Sequence, residues 1–149
     1  MRQETRRKKQ ETNKIQIKNS KNQMPINKNK PKFDLEERTT EFAKRIIRLC
    51  KALPKNIINN PLINQVIRSA SSIGANYREA NDALGKKDFI HRVKISRKET
   101  KETLHWLELI EEANQEFKLR MQELKKEAQE LRNILSTIIT NASNKKSKK

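Results

Sequence analysis

Two histidines, one cysteine and a scatter of glutamates are the side chains with which this sequence could do chemistry. His91 and His105 stand 14 residues apart. On one helix that spacing separates them by about 21 Å, too far to share a metal ion. Neither belongs to an H-E-x-x-H or Glu-x-x-His pair of the kind that holds metals on helices. Cys50 has no histidine partner evident nearby and sits beside an apolar stripe, so it reads as a packed structural thiol. Glu79, Glu99, Glu102 and Glu108 fall in helical surroundings, where carboxylates are usually solvated or ion-paired. Ser71-Ser72 lacks the strand–turn–helix setting of a nucleophilic serine. No catalytic constellation emerges. The expectation is a protein that is not an enzyme and needs neither cofactor nor metal.

What remains is charge. The 149 residues hold 35 Lys and Arg against 18 Asp and Glu, a net of +17. Residues 1–32 carry +9 and residues 141–149 carry +4. Both stretches are rich in Lys, Asn, Gln and Ser and poor in large apolar residues, the composition of disordered basic tails. Basic tails suit a polyanion, because each phosphate neutralised releases a counterion. Lys, Asn and Ile also have A/T-rich codons, so part of the excess can reflect genome composition. Met24-Pro25 offers a second start, which makes residues 1–23 a candidate extension that is rarely translated. Mass spectrometry of the native N-terminus tests that reading.

Residues 33–140 carry only +4, and their apolar spacing predicts four helices. The first opens at Asp34, with Glu37 three residues on as in a capping box. Leu35, Phe42, Ile46, Leu49 and Leu53 form its stripe, and Pro54 stops it. The second opens at Asn60-Pro61. Ile63, Val66, Ile67, Ala70, Ile73, Tyr77 and Leu84 form its stripe, and Gly85 is its stop. Its small-residue run, Ser69 to Ala75, would let a neighbouring helix approach closely. The third runs from about Asp88 to Ala113. Phe89, Val93, Ser96, Thr100, Leu104, Leu107 and either Ile110 or Glu111 share one face. The fourth runs from about Glu116 to Thr140, with Phe117, Met121, Leu124, Ala128, Leu131, Leu135 and Ile138 alternating four and three apart. Short links imply antiparallel neighbours. The expected class is all-α: an antiparallel up-down-up-down four-helix bundle with disordered basic tails. No apolar run approaches the ~18 residues of a membrane span, no secretory leader is evident, and one cysteine forms no internal disulfide. The expected location is cytoplasmic.

Two features of the third helix stand out. At 100° per residue, Lys94, Arg97, Lys98, Lys101 and His105 cluster within about 100° of arc, away from the apolar face. Like charges at such spacing cost helix stability unless an anion offsets them. Arg68 and Arg78 on the second helix are candidates to extend the patch. The plainer reading is an ordinary solvated face. The second feature is apolar surface on the outer side. Trp106 lies about 100° from the core stripe, Leu109 about 160°, and Ile95 shares that side. Such a cluster resembles an interface centre, unless a neighbouring helix covers Trp106.

Three stretches carry a family resemblance. The run Val66 to Ala80, centred on Ser69-Ala70-Ser71-Ser72-Ile73-Gly74-Ala75-Asn76-Tyr77-Arg78-Glu79, is similar to the second helix of a four-helix bundle family. That family is also called the 23S ribosomal RNA intervening-sequence proteins. Asp88-Phe89-Ile90-His91-Arg92-Val93-Lys94-Ile95 resembles its third-helix start, and Glu99 to Leu109 resembles its E-x-x-E-x-x-x-W-L signature. Asp34-Leu35-Glu36-Glu37-Arg38-Thr39 also fits. The resemblance spans residues 33–140 and implies a bundle that assembles as a homo-oligomer, in some members a ring-like homopentamer. It also implies a relationship to accessory proteins of diversity-generating retroelements, which bind a reverse transcriptase and nucleic acid through a basic surface. Asn76, Glu79, Phe89, Glu102, Trp106 and Leu107 match the family pattern; Phe89 and Leu107 read as core, Glu102 and Trp106 as outward-facing.

The function expected from these readings is an RNA- or nucleoprotein-binding accessory factor. Arg68, Arg78, Lys94, Arg97, Lys98 and Lys101 would contact phosphate without base readout. Ile95, Glu102, Trp106 and Leu109 would form the oligomer contact. The alternative is a protein–protein scaffold with no direct nucleic-acid role.

Overall fold

The first stripe closes into α1, Leu35–Ala52, and buries Leu35, Phe42, Ile46 and Leu49. Glu36 and Glu37 in its first turn and Lys51 in its last complement the helix dipole. Beyond Pro54, Lys55 reaches back and its ammonium donates to the carbonyls of Cys50 and Leu53, two acceptors that the helix end leaves open. The computed structural model describes residues 34–145. The tail expected at 1–32 lies outside the described residues, as do the last four residues of the tail expected at 141–149.

Helix α2 spans Asn59–Asn81. Its start is capped by Asn56 rather than by the expected Asn60. The Asn56 Oδ1 accepts from the backbone N–H of Ile58 at 3.1 Å and of Asn59 at 2.8 Å. The helix ends four residues before Gly85, because the N–H groups of Asp82 and Ala83 bond back to the carbonyls of Arg78, Glu79 and Ala80 and tighten the last turn. Leu84 therefore falls outside the stripe and stands fully exposed in the turn.

Helix α3 is Lys86–Ala113, a 3₁₀ turn covers Gln115–Phe117, and α4 is Lys118–Asn144. In α4, Met121, Leu124, Ala128, Leu131 and Leu135 are buried as the spacing predicts, but Ile139 takes the last core position in place of Ile138. A straight helix drifts about 20° per heptad against a strict seven-residue repeat, which moves the seam on by one residue. The helix also continues past the expected end at Thr140.

Neighbouring helices run antiparallel. Glu36 at the start of α1 meets Arg78 late in α2. Asn59 at the start of α2 meets Asn114 just past α3. Arg97 early in α3 meets Ser136 late in α4, and Glu111 late in α3 meets Lys125 early in α4. Arg38 of α1 closes the ring onto α4, donating to Glu127 at 2.7 and 3.1 Å and to Glu130 at 2.6 Å. The result is an all-α, up-down-up-down four-helix bundle among the described residues.

The α2–α3 seam is built from small polar side chains. Ser96 donates to the Ile73 carbonyl at 2.7 Å, and Thr103 donates to Ser69 at 2.9 Å. All of these residues are buried. On the other flank of α2, a Cβ on Gly74 would stand 2.9 Å from the Thr39 hydroxyl oxygen of α1. The small-residue run thus lets two helices approach α2 closely. At the far end, Asn59 and Asn114 exchange amide hydrogen bonds of 2.9 Å in both directions. Their remaining N–H groups donate to the carbonyls of Pro54 and Ile110.

Candidate nucleic-acid interface

Helix α3 is packed on two flanks, by α2 and by α4, and buries Val93, Ser96, Thr100, Thr103, Leu107 and Ile110. The arc opposite that core is left to solvent, and there Lys94, Lys98 and Lys101 stand exposed. None of the three makes an ion pair among the described residues. Arg97 is turned toward α4, half-buried, with its Nη1 3.4 Å from the Ser136 oxygen. His105 continues the outer arc and meets the Trp106 ring edge-on at 5.0 Å. Beyond it the arc turns acidic at Glu108 and Glu112, so the basic strip occupies the first two-thirds of the helix.

The structure does not add Arg68 and Arg78 to this strip as unpaired cations. Arg68 is held across the α2–α3 seam by Glu99 at 3.3 Å and by Glu102. The hydrogen bond to Glu102 raises its pKa above the usual guanidinium value. Arg78 is held across the α1–α2 seam by Glu36 at 3.1 Å and donates to Thr40 at 3.2 Å. A helical wheel shows where a side chain points along its own helix; it does not show the carboxylate that a neighbouring helix supplies.

Lys86 and Lys87 escaped the sequence reading, which weighed His91 only as a metal ligand. Lys87 precedes Lys94 by one heptad and Lys101 by two, so helical spacing alone places it on the same arc. The exposed cations Lys87, Lys94, Lys98 and Lys101 then extend over about 21 Å. Lys86 and His91 join them around a hollow between the start of α3 and the end of α4.

The expected oligomer contact is less exposed than the wheel implies. Trp106 and Ile95 are half-buried, and the Trp106 ring packs on the core. Its indole N–H is buried and has no acceptor among the described residues. Glu102 is engaged by Arg68. Leu109 alone of the four is clearly open, at 40% exposure. The reason is geometric: α2 covers a wide arc of α3 on that flank. Asn76 is half-buried and donates to the Ser72 carbonyl at 2.9 Å, and Phe89 is packed against the core edge. Cys50 is buried in α1, where burial pushes its thiol up to about 11.

Among the described residues no group of three His, Cys, Asp or Glu side chains is placed to hold a metal ion, and no helix is long and apolar enough to cross a membrane.

Residues 32–137 match the family described as 23S rRNA-intervening sequence protein. The chain belongs to that family. A crystal structure of a protein of unknown function from the S23 ribosomal protein family of Bacteroides thetaiotaomicron VPI-5482 is similar to this chain. The two share 33% identity with a TM-score of 0.62, over 70% of this chain and 96% of that one. No curated protein matches the chain. The matched segment takes in α1, α2, α3 and most of α4, so the lysine strip, both arginine clamps and the Trp106 flank lie within it.

Proposed function

We propose that this chain is a non-catalytic, cytoplasmic accessory protein that binds RNA by its phosphate backbone through the outer face of α3. One observation carries the reading. Lys94, Lys98 and Lys101 stack at successive turns, exposed and without an ion pair among the described residues, an arrangement that costs helix stability unless a polyanion lies along it. The family's name supports RNA as that polyanion. Six aromatic residues in 149 leave little for base stacking, so the contact is electrostatic and largely sequence-tolerant.

The test is RNA binding across a salt titration. The Lys94→Ala/Lys98→Ala/Lys101→Ala variant is expected to reduce the slope of log K against log salt by about 2 on a single strand, at ~0.7 per phosphate contact. Arg68→Ala, which removes a cation already held by two carboxylates, should leave the slope nearly unchanged. The slope should survive in a chain of residues 24–149, which separates the contacts from the first 23 residues. An unchanged slope in the triple variant overturns the reading.

A second reading, self-association or recruitment of a protein such as a reverse transcriptase, is favoured by the indole N–H of Trp106, which has no acceptor among the described residues, beside the exposed Leu109. In that case Trp106→Ala lowers the mass measured by light scattering, or breaks the protein complex, while RNA affinity stays intact.

A further inference from the structure

Three hollows adjoin where α2 turns into α3 and α4 ends, and all share Lys86. The first, of about 390 Å³, is lined by Lys86, Lys87, Ile90, His91, Lys94 and Ser143. The second, also about 390 Å³, lies against Phe89, Ile138 and Ala142 with Lys145 at its edge. The third opens beneath the exposed Leu84.

The first hollow has two chemistries. Its floor is Ile90, half-buried and packed on the core. Its rim is cationic, and no carboxylate among the described residues lines it. The nearest acid in sequence, Asp88, borders the third hollow and is 3.9 Å from Arg92. Ser143 donates its hydroxyl hydrogen to the Ile139 carbonyl at 2.8 Å, which leaves its oxygen lone pairs to accept a hydrogen bond. A ligand that answers all three features carries an anion, a flat apolar body and an N–H or O–H donor. A nucleotide has all three, and the volume falls in the range of small-ligand pockets.

Continuity decides what presents that nucleotide. Lys94 belongs both to the hollow and to the outer strip, and Lys98 and Lys101 lead away from it along α3. We infer that the hollow seats one unpaired nucleotide of a bound RNA strand. Its phosphate lies on Lys86, Lys87 and Lys94, and its base lies over Ile90. The following phosphates run along Lys98 and Lys101. This inference rests on the strip reading above and adds to it a preference for strands with an unpaired nucleotide.

The test uses the full isotope-labelled chain, titrated separately with AMP, inorganic phosphate and adenosine and followed by NMR. AMP is expected to shift the amide resonances of Ile90, His91, Lys94 and Ser143 saturably, and at lower concentration than phosphate or adenosine alone. The Lys87→Ala/Ser143→Glu variant, checked for an unchanged thermal melt, should lose the AMP response. It should also bind single-stranded RNA about tenfold more weakly, a loss of about 1.4 kcal/mol, while blunt duplex RNA is much less affected. The inference is overturned if AMP leaves those resonances in place, if a short oligo-glutamate shifts them as strongly as AMP, or if the variant binds both RNAs as the parent does. The strip reading fails separately, through the Lys94/Lys98/Lys101 variant, so a silent hollow beside a responsive strip removes only the present inference.

Discussion

Cys50 shows how packing decides what a reactive side chain can do. Burial raises its thiol to about 11, against the pull of Lys55 and Arg120, so it holds its proton well above neutral pH. The unfolded chain releases that proton first, near 9.0. Between those two values the unfolded state binds fewer protons, and stability falls as pH rises. Denaturant unfolding of the parent and of Cys50→Ala should therefore diverge from pH 9 to 11, with the parent losing on the order of 2 kcal/mol more. Parallel curves would mean that the thiol is more accessible than its burial implies. Gly74 makes the same point for shape. Alanine there gains about 1 kcal/mol in helix propensity, but its methyl would meet the Thr39 hydroxyl at 2.9 Å and its Cβ at 3.3 Å. Thr39 has little freedom to yield, since that hydroxyl donates to the Leu35 carbonyl. Overpacking should win, and Gly74→Ala is expected to destabilise by about 1 kcal/mol in urea. In a Thr39→Ala background the same change should cost less. The run around Gly74 announced a close approach in the sequence; that the approaching atom belongs to Thr39 did not show there.

At the scale of elements, periodicity made most of the bundle legible. The stripes of α1 and α4 name their own core residues because an apolar face depends only on spacing along one helix. Polar contacts between helices depend on two distant residues. Asn59 and Asn114 each read as loop or capping residues, 55 positions apart, yet together they form a buried, fully satisfied amide pair. Breaking it from one side strands the other amide. Asn59→Ala should cost about 2 kcal/mol, and adding Asn114→Ala should cost much less than a second such loss. Additive losses in that double-mutant cycle would show that the two amides do not act as a pair. This pair also fixes register: a one-turn slide of α2 along α3 would leave both amides buried and unmatched, whereas the apolar repeat would tolerate it.

For the whole molecule, the candidate site was half legible. Lys94, Lys98 and Lys101 follow from helix geometry alone, because the exposed arc of α3 is what its two packed flanks leave over. Lys87 followed from the same geometry and was missed for want of extending the arc one heptad back. The ion pairs of Arg68 and Arg78 and the partial cover of Trp106 were not legible, since each one's surroundings come from another helix. The strip also lies on the helix with the least apolar core. Ser96, Thr100 and Thr103 are fully buried at the middle of α3; Thr103 bonds to Ser69 of α2, Ser96 to the Ile73 carbonyl of α2, and Thr100 to the Ser96 carbonyl of its own helix. Hydrating apolar surface raises the heat capacity on unfolding, and hydrating polar surface lowers it. A seam of hydroxyls therefore flattens the curve of stability against temperature. Calorimetry should give a heat-capacity change at or below the low end of the usual ~12–15 cal/mol/K per ordered residue. A flat curve keeps the margin of stability nearly constant between cold and warm, so the helix that carries the lysines stays folded in place over a wide span of temperature.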